Sequence, residues 1–126
     1  MSFLENFFGK SDSEQAGTNF WKYIESEADL EKAIEESSVR KVALFKHSTR
    51  CFISKTVLKN FEKEVGESEL DVSYYFLDLI EYRNISNKIE NIFGVVHQSP
   101  QLIVLENGKV VNDASHQGIS ISLIRN

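Results

Sequence analysis

SPQLIVLENGKVVNDA, residues 99–114, is the stretch on which the architecture turns. Two apolar runs, Gln101–Glu106 and Lys109–Ala114, flank the dipeptide Asn107-Gly108. Asn-Gly readily takes positive φ at both positions, so a tight turn there matches the twist of the strands on either side. A two-residue turn joins only antiparallel strands. The chain therefore carries an antiparallel hairpin towards its end, and its single proline, Pro100, stands at the entrance.

Upstream of the hairpin the pattern alternates. Ile85, Ile89, Ile92 and Phe93 recur at i, i+4, i+7, i+8, which predicts a helix closed by Gly94. VSYYFLD (72–78) is rich in aromatic and β-branched residues and reads as a strand. A second helix is expected from about Cys51, with Ile53, Val57, Leu58, Phe61 and Val65 on one side and Gly66 ending it. VALFKH (42–47) is nearly continuous apolar and reads as a buried strand. Before it, Ser26 and Asp29 have capping spacing ahead of a stripe of Leu30, Ala33 and Ile34. That helix is acidic from Glu25 to Glu36, with Lys32 the one cation, so a solvated outer face is expected, with an acidic docking face as the alternative. NFWKYI (19–24) reads as the first strand. After the hairpin, GISISLIRN fits either a strand or a short helix capped by Ser120. The order β-α-β-α-β-α-β-β, with a final helix left open, predicts an α/β domain with a mixed sheet and helices on both faces. That domain is expected over 19–126. Residues 1–18 read as a short amphipathic segment carrying Phe3, Leu4, Phe7 and Phe8, followed by a polar linker.

Composition narrows the function. A chain of 126 residues is one domain by size, and 41% hydrophobic residues supply a core. The net charge of -5, with no Lys/Arg cluster, argues against nucleic acid. No apolar run has membrane-spanning length, and the first residues lack the basic start of a signal peptide. One cysteine cannot form an internal disulfide, so a cytoplasmic protein is expected. The three histidines and one cysteine have no metal-ligand spacing.

That cysteine, Cys51, falls where a strand gives way to a helix. A thiolate at a helix N-terminus meets unpaired backbone N–H groups and the positive end of the dipole. Such settings, often with neighbouring cations, bring cysteine pKa values from ~8.5 into the range ~3.5–7.5. Arg50 and Lys55 are close in sequence. A buried, inert thiol is the alternative reading of position alone. Ser54 can donate to a Cys51 thiolate or bond backbone in the first turn. His47 can stabilise a thiolate, move a proton, or bond locally and hold the loop. His97 is expected at the surface.

FGVVHQSPQLIVLENGKVV (93–111) resembles the thioredoxin pattern of glycine, loop, cis-proline, apolar strand, Asn-Gly turn and strand. Over about residues 19–126 the elements follow the order of a thioredoxin-like fold. KHSTRCFIS (46–54), joined with SHQGI (115–119), resembles the monothiol bacilliredoxin family, whose members carry a KHST run before a Cys-x-Ile-Ser site. The chain departs from dithiol thioredoxins at Ser54, where they have a second cysteine, and at Phe45, where they carry a buried acid. It departs at Phe52 from members with proline after the cysteine.

The resemblance implies a monothiol thiol-disulfide oxidoreductase that removes a small thiol, bacillithiol, from client proteins through Cys51. It implies Cys51 and Ser54 as catalytic residues. It further implies Thr49, Arg50, Phe52, Ser99, Pro100 and His116 as the substrate-binding surface, with His47 as a thiolate neighbour and the Ser99–Pro100 bond cis. No bound cofactor is expected, and bacillithiol is the co-substrate. Partners are client proteins carrying mixed disulfides, with neither nucleic acid nor membrane. Two other functions fit the residues: a thioredoxin-like adaptor with an inert thiol, and an iron–sulfur carrier like monothiol glutaredoxins. The second is disfavoured because Phe52 stands where those proteins have the glycine of Cys-Gly-Phe-Ser.

Overall fold

A computed structural model describes residues 20–125. The amphipathic segment and linker read at residues 1–18 lie outside the described residues. Strand β1 spans Trp21–Tyr23, helix α1 Glu27–Glu36, β2 Lys41–His47, α2 Phe52–Gly66, β3 Val72–Asp78 and α3 Arg83–Phe93. Then come β4 (Gln101–Glu106), β5 (Lys109–Ser115), a 3₁₀ turn at His116–Gly118 and the short α4 (Ser122–Arg125). The five strands stand in the order β1-β3-β2-β4-β5. β1 and β2 both run parallel to β3, while β4 is antiparallel to β2 and to β5. The sheet is mixed because of the hairpin, whose Asn107 and Gly108 take φ of 54° and 75°. Its tip is tied to the end of α1, since Ser37 O accepts from Asn107 N–H at 2.7 Å and Ser37 Oγ from Gly108 N–H at 2.8 Å.

The alternation of side chains along the strands splits the core into two layers. One face holds Trp21, Ala43, Phe45 and Tyr74 from the sheet, covered by Val57, Phe61 and Val65 of α2 and by Ile121 and Ile124 around α4. Its rings meet mostly tilted or edge-on, as Trp21 does with Phe45 at 5.9 Å. The other face is mainly aliphatic: Val42, Leu44, Leu77, Ile103 and Leu105 against Leu30 and Ala33 of α1 and Ile85 and Ile89 of α3. Helices on both faces follow directly.

Ser26 caps α1 by accepting from Asp29 N–H at 3.1 Å. Gly94 closes α3 in the left-handed region at φ 68°. Three expectations need correction, and one open alternative is decided. Gly66 is the last residue of α2, and Glu67 caps it. Ile53 and Ile92 are exposed, whereas Ser54 and Ser86 are fully buried: the inward stripe is Ser54, Val57, Phe61 and Val65 in α2, and Ile85, Ser86 and Ile89 in α3. The acids of α1 are not all on a solvated face: Glu36 is held by Ser73, Tyr75, Arg40 and Lys22. After the hairpin the helical alternative forms, and Glu64 Oε1 accepts from Ile121 N–H at 2.8 Å, fixing α4 to α2.

Candidate active site

β2 ends at His47, and Ser48–Arg50 carry the chain over the sheet end to Cys51. Cys51 is the N-cap of the 15-residue α2, in extended backbone conformation at φ -104° and ψ 120°. Its N–H donates to Ser48 O at 3.2 Å, and its O accepts from Lys55 N–H at 3.1 Å. The side chain is half-buried and caps nothing, so the sulfur is free for other partners at the positive end of the helix. This is the carboxyl end of the parallel strands, where open α/β sheets bind their ligands.

Thr49 and Arg50 are exposed in the loop before the thiol. Phe52, directly after it, is 79% exposed. A pocket of about 250 Å³ opens beside it, lined on one wall by Phe52, Ile53, Thr56 and Asn60 and on the other by His116 and Gln117. His116 reaches this position in the left-handed region at φ 55°, rare for a side chain of its size. Its N–H donates to Pro100 O at 3.0 Å, tying the 3₁₀ turn to the proline loop. The Ser99–Pro100 bond is cis. Thus Phe52 and His116 share a pocket and Pro100 is joined to His116 through backbone. Ser99 Oγ is buried and makes no hydrogen bond among the described residues.

Beneath the loop lies a buried polar contact. Ser54 Oγ is 2.8 Å from His47 Nδ1 and accepts from Ser48 N–H at 3.2 Å. Burial lowers the His47 pKa below its ordinary value; Asp78 raises it and Lys55 lowers it further. His47 packs against the rings of Phe45 and Phe76. His47 makes a local hydrogen bond, one of its candidate roles, and its partner is the serine of the site itself.

A family model described as monothiol bacilliredoxin BrxC matches residues 22–124. The chain belongs to the monothiol bacilliredoxin family. Its likeness to solved structures agrees. A candidate oxidoreductase with a thioredoxin fold is 29% identical, with a TM-score of 0.76 over 86% of this chain and 94% of that one. Thioredoxin from Malassezia sympodialis is 19% identical, with a TM-score of 0.62 over 75% of this chain and 76% of its own. Mitochondrial thioredoxin 3 from Saccharomyces cerevisiae, in its oxidised form, is 15% identical, with a TM-score of 0.64 over 79% and 87%. The two thioredoxins speak to the fold alone. Bacilliredoxin membership and the thioredoxin-like fold together support thiol redox chemistry, and Cys51 is the one cysteine available for it.

Two features of this bacilliredoxin site are not apparent from motif reading. Lys46 is fully buried, and its Nζ has no hydrogen-bond partner among the described residues. Burial drives its pKa down to about 8, against a raising contribution from Glu90. Strand alternation marks it, because Lys46 falls on the same face as Val42 and Leu44. His97, expected at the surface, is half-buried: Ser86 Oγ lies 3.3 Å from its Nδ1, and Glu90 accepts from its N–H at 3.2 Å. Among the described residues no cluster of His, Cys, Asp and Glu could hold a metal, and no helix is long and apolar enough to cross a membrane.

Proposed function

We propose that the protein removes a small-thiol cap from the cysteines of client proteins. The thiol is bacillithiol and the setting is the cytoplasm. The Cys51 thiolate attacks the cap sulfur; the client–cap S–S bond breaks, the client leaves as thiolate with the electron pair, and Cys51 holds the cap. A second small thiolate then attacks the cap sulfur on Cys51, forming the small-molecule disulfide and releasing the Cys51 thiolate. No bound cofactor takes part, and bacillithiol is a co-substrate.

The observation that carries this reading is the position of the sole cysteine at the N-cap of α2, directly before Phe52 on the wall of an open pocket, and three residues before Ser54, which stands where dithiol thioredoxins have the resolving cysteine. Every covalent intermediate must then be intermolecular. Thr49, Arg50 and Phe52 on one side, with Ser99, Pro100 and His116 on the other, form the surface on which the client segment lies.

The test mixes reduced protein with a bacillithiol-capped client and follows both masses. The client is expected to lose one bacillithiol as this protein gains one, and Cys51→Ser is expected to abolish both changes. Equal removal of glutathione caps would overturn the choice of thiol and leave the reaction class. If neither cap moves, the enzyme reading fails and a thioredoxin-like adaptor replaces it.

A further inference from the structure

We infer that His47 is a positioning residue that acts on Cys51 through Ser54, by holding or releasing the serine's hydroxyl proton. The inference rests on the reading above only in taking Cys51 as the reacting sulfur.

The geometry sets the terms. Ser54 is fully buried and His47 is 4% exposed, so water does not compete for their contact. A serine hydroxyl has one proton and two lone pairs. One lone pair of Ser54 Oγ is taken by Ser48 N–H. The remaining contact, to His47 Nδ1 at 2.8 Å, accommodates either direction of donation, according to the histidine tautomer. With the ring proton on Nε2, Ser54 donates to Nδ1 and its proton is committed. With the proton on Nδ1, His47 donates, both serine lone pairs are filled, and the hydroxyl proton is free to point elsewhere. Cys51 is the N-cap and Ser54 the third helical residue, an i, i+3 pair at the same helix start. Ser54 Oγ is engaged with His47 and Ser48 N–H, and its freed proton is assigned to a Cys51 thiolate.

The groups facing His47 support a neutral ring that changes tautomer rather than charge. They are Asp78 on β3, directly opposite in the strand register, and Lys55 on α2; the other ring contacts are Phe45 and Phe76. Burial, the largest influence, disfavours the imidazolium.

The consequence falls on the release step. While Cys51 is capped, its sulfur carries no charge and Ser54 donates to His47. When the second small thiolate takes the cap, the S–S bond breaks and Cys51 leaves with the electron pair. Ser54 then turns its proton to the new thiolate, a charge-assisted hydrogen bond. His47 then carries its ring proton on Nδ1 rather than Nε2, so the proton count on the ring does not change. The pair makes Cys51 a better leaving group in a site where no second cysteine can expel the cap.

The experiment is ¹⁵N NMR of the His47 ring in the full chain at about pH 9, above the ordinary thiol range. It compares free Cys51 with Cys51 methylthiolated by methyl methanethiosulfonate. The expected result is a protonated Nδ1 in the thiolate form and a protonated Nε2 in the capped form. In Ser54→Ala the tautomer is expected to stop responding to the cap. The same tautomer in both wild-type forms overturns the proposal without recourse to any variant. A switch that survives in Ser54→Ala also overturns it, because the coupling would then run through space. Neither client nor bacillithiol is used. A tautomer switch with no decapping would count against the substrate assignment alone, and decapping without a switch against His47 alone.

Discussion

Glu36, in the last turn of α1, and Lys46, near the end of β2, lie at opposite ends of the aliphatic face of the sheet. The carboxylate of Glu36 receives Arg40 at 2.6 Å, Tyr75 Oη at 2.7 Å, Lys22 at 3.2 Å and the hydroxyl of Ser73. Burial alone would raise its pKa, but the hydrogen bonds from Ser73, Tyr75, Arg40 and Lys22 outweigh it and hold the value at about 2. Lys46 has burial without any of this, and its pKa falls to about 8. A buried charge stabilises a fold only where donors or acceptors replace the water it lost. The amino end of strands β2 and β3 is thus locked by a satisfied network. The carboxyl end, which carries the thiol loop, keeps an unsatisfied cation within its core.

The comparison breaks most visibly at Glu36. Glu36→Gln leaves Arg40 and Lys22 without their shared carboxylate and is expected to lower stability by about 3 kcal/mol, measured by urea unfolding near pH 7. The pH dependence follows from the depressed pKa. Below the ordinary value of 4.5 the unfolded chain takes up a proton that the native state refuses down to about 2. The Glu36 contribution is therefore complete above about pH 4.5 and is lost as pH falls towards 2. The gap between wild type and Glu36→Gln should close across that window. A gap independent of pH would mean that the network does not carry the stability.

Lys46 gives the opposite sign and a smaller effect. Lys46→Met keeps the length of the side chain and removes the uncompensated ammonium, so a gain of about 2 kcal/mol is expected at pH 7. With a folded pKa of about 8 against an ordinary 10.5, the native state releases this proton before the unfolded chain does. The penalty is complete below about pH 8 and fades as pH rises towards 10.5, so the advantage of Lys46→Met should shrink over that range. A loss of stability on substitution would show that Lys46 is satisfied in solution.

These two residues also mark where sequence reasoning stops. The order of elements was legible because each signal is local: the Asn107-Gly108 turn, the Ser26 cap, the Gly94 stop and the alternation of apolar runs. The thiol was legible because Cys51 has no competitor. Apart from Arg40, four residues on, the partners of Glu36 come from β1 and β3, up to 39 residues away, and no spacing rule brings those together. The His47–Ser54 contact spans seven residues across a strand, a loop and a helix start. Its signal was present in the helical period, which puts Ser54 rather than Ile53 in line with Val57 and Phe61. The pocket wall from Gln117 and His116 depends on a left-handed residue at His116, which composition does not suggest.

The smallest effect on folding is expected at Phe52, and it sharpens the contrast between the two ends. Phe52 is 79% exposed and belongs to neither core cluster, so Phe52→Ala removes little apolar area that folding had buried. Its change in stability should stay within about 0.5 kcal/mol, the range of surface positions without a special role. An exposed aromatic beside a nucleophile is nonetheless a natural anchor for a partner, and truncating such an anchor typically costs more than 1 kcal/mol in binding. Client decapping by Phe52→Ala is therefore expected to slow about tenfold at low client concentration, equivalent to ~1.4 kcal/mol. Thermal melts of both proteins should overlay while the single-turnover rates separate. If the melting curve moves as much as it does for Glu36→Gln, Phe52 is part of the scaffold. If neither quantity moves, the client lies elsewhere, and the pocket between Phe52 and His116 is not where it docks.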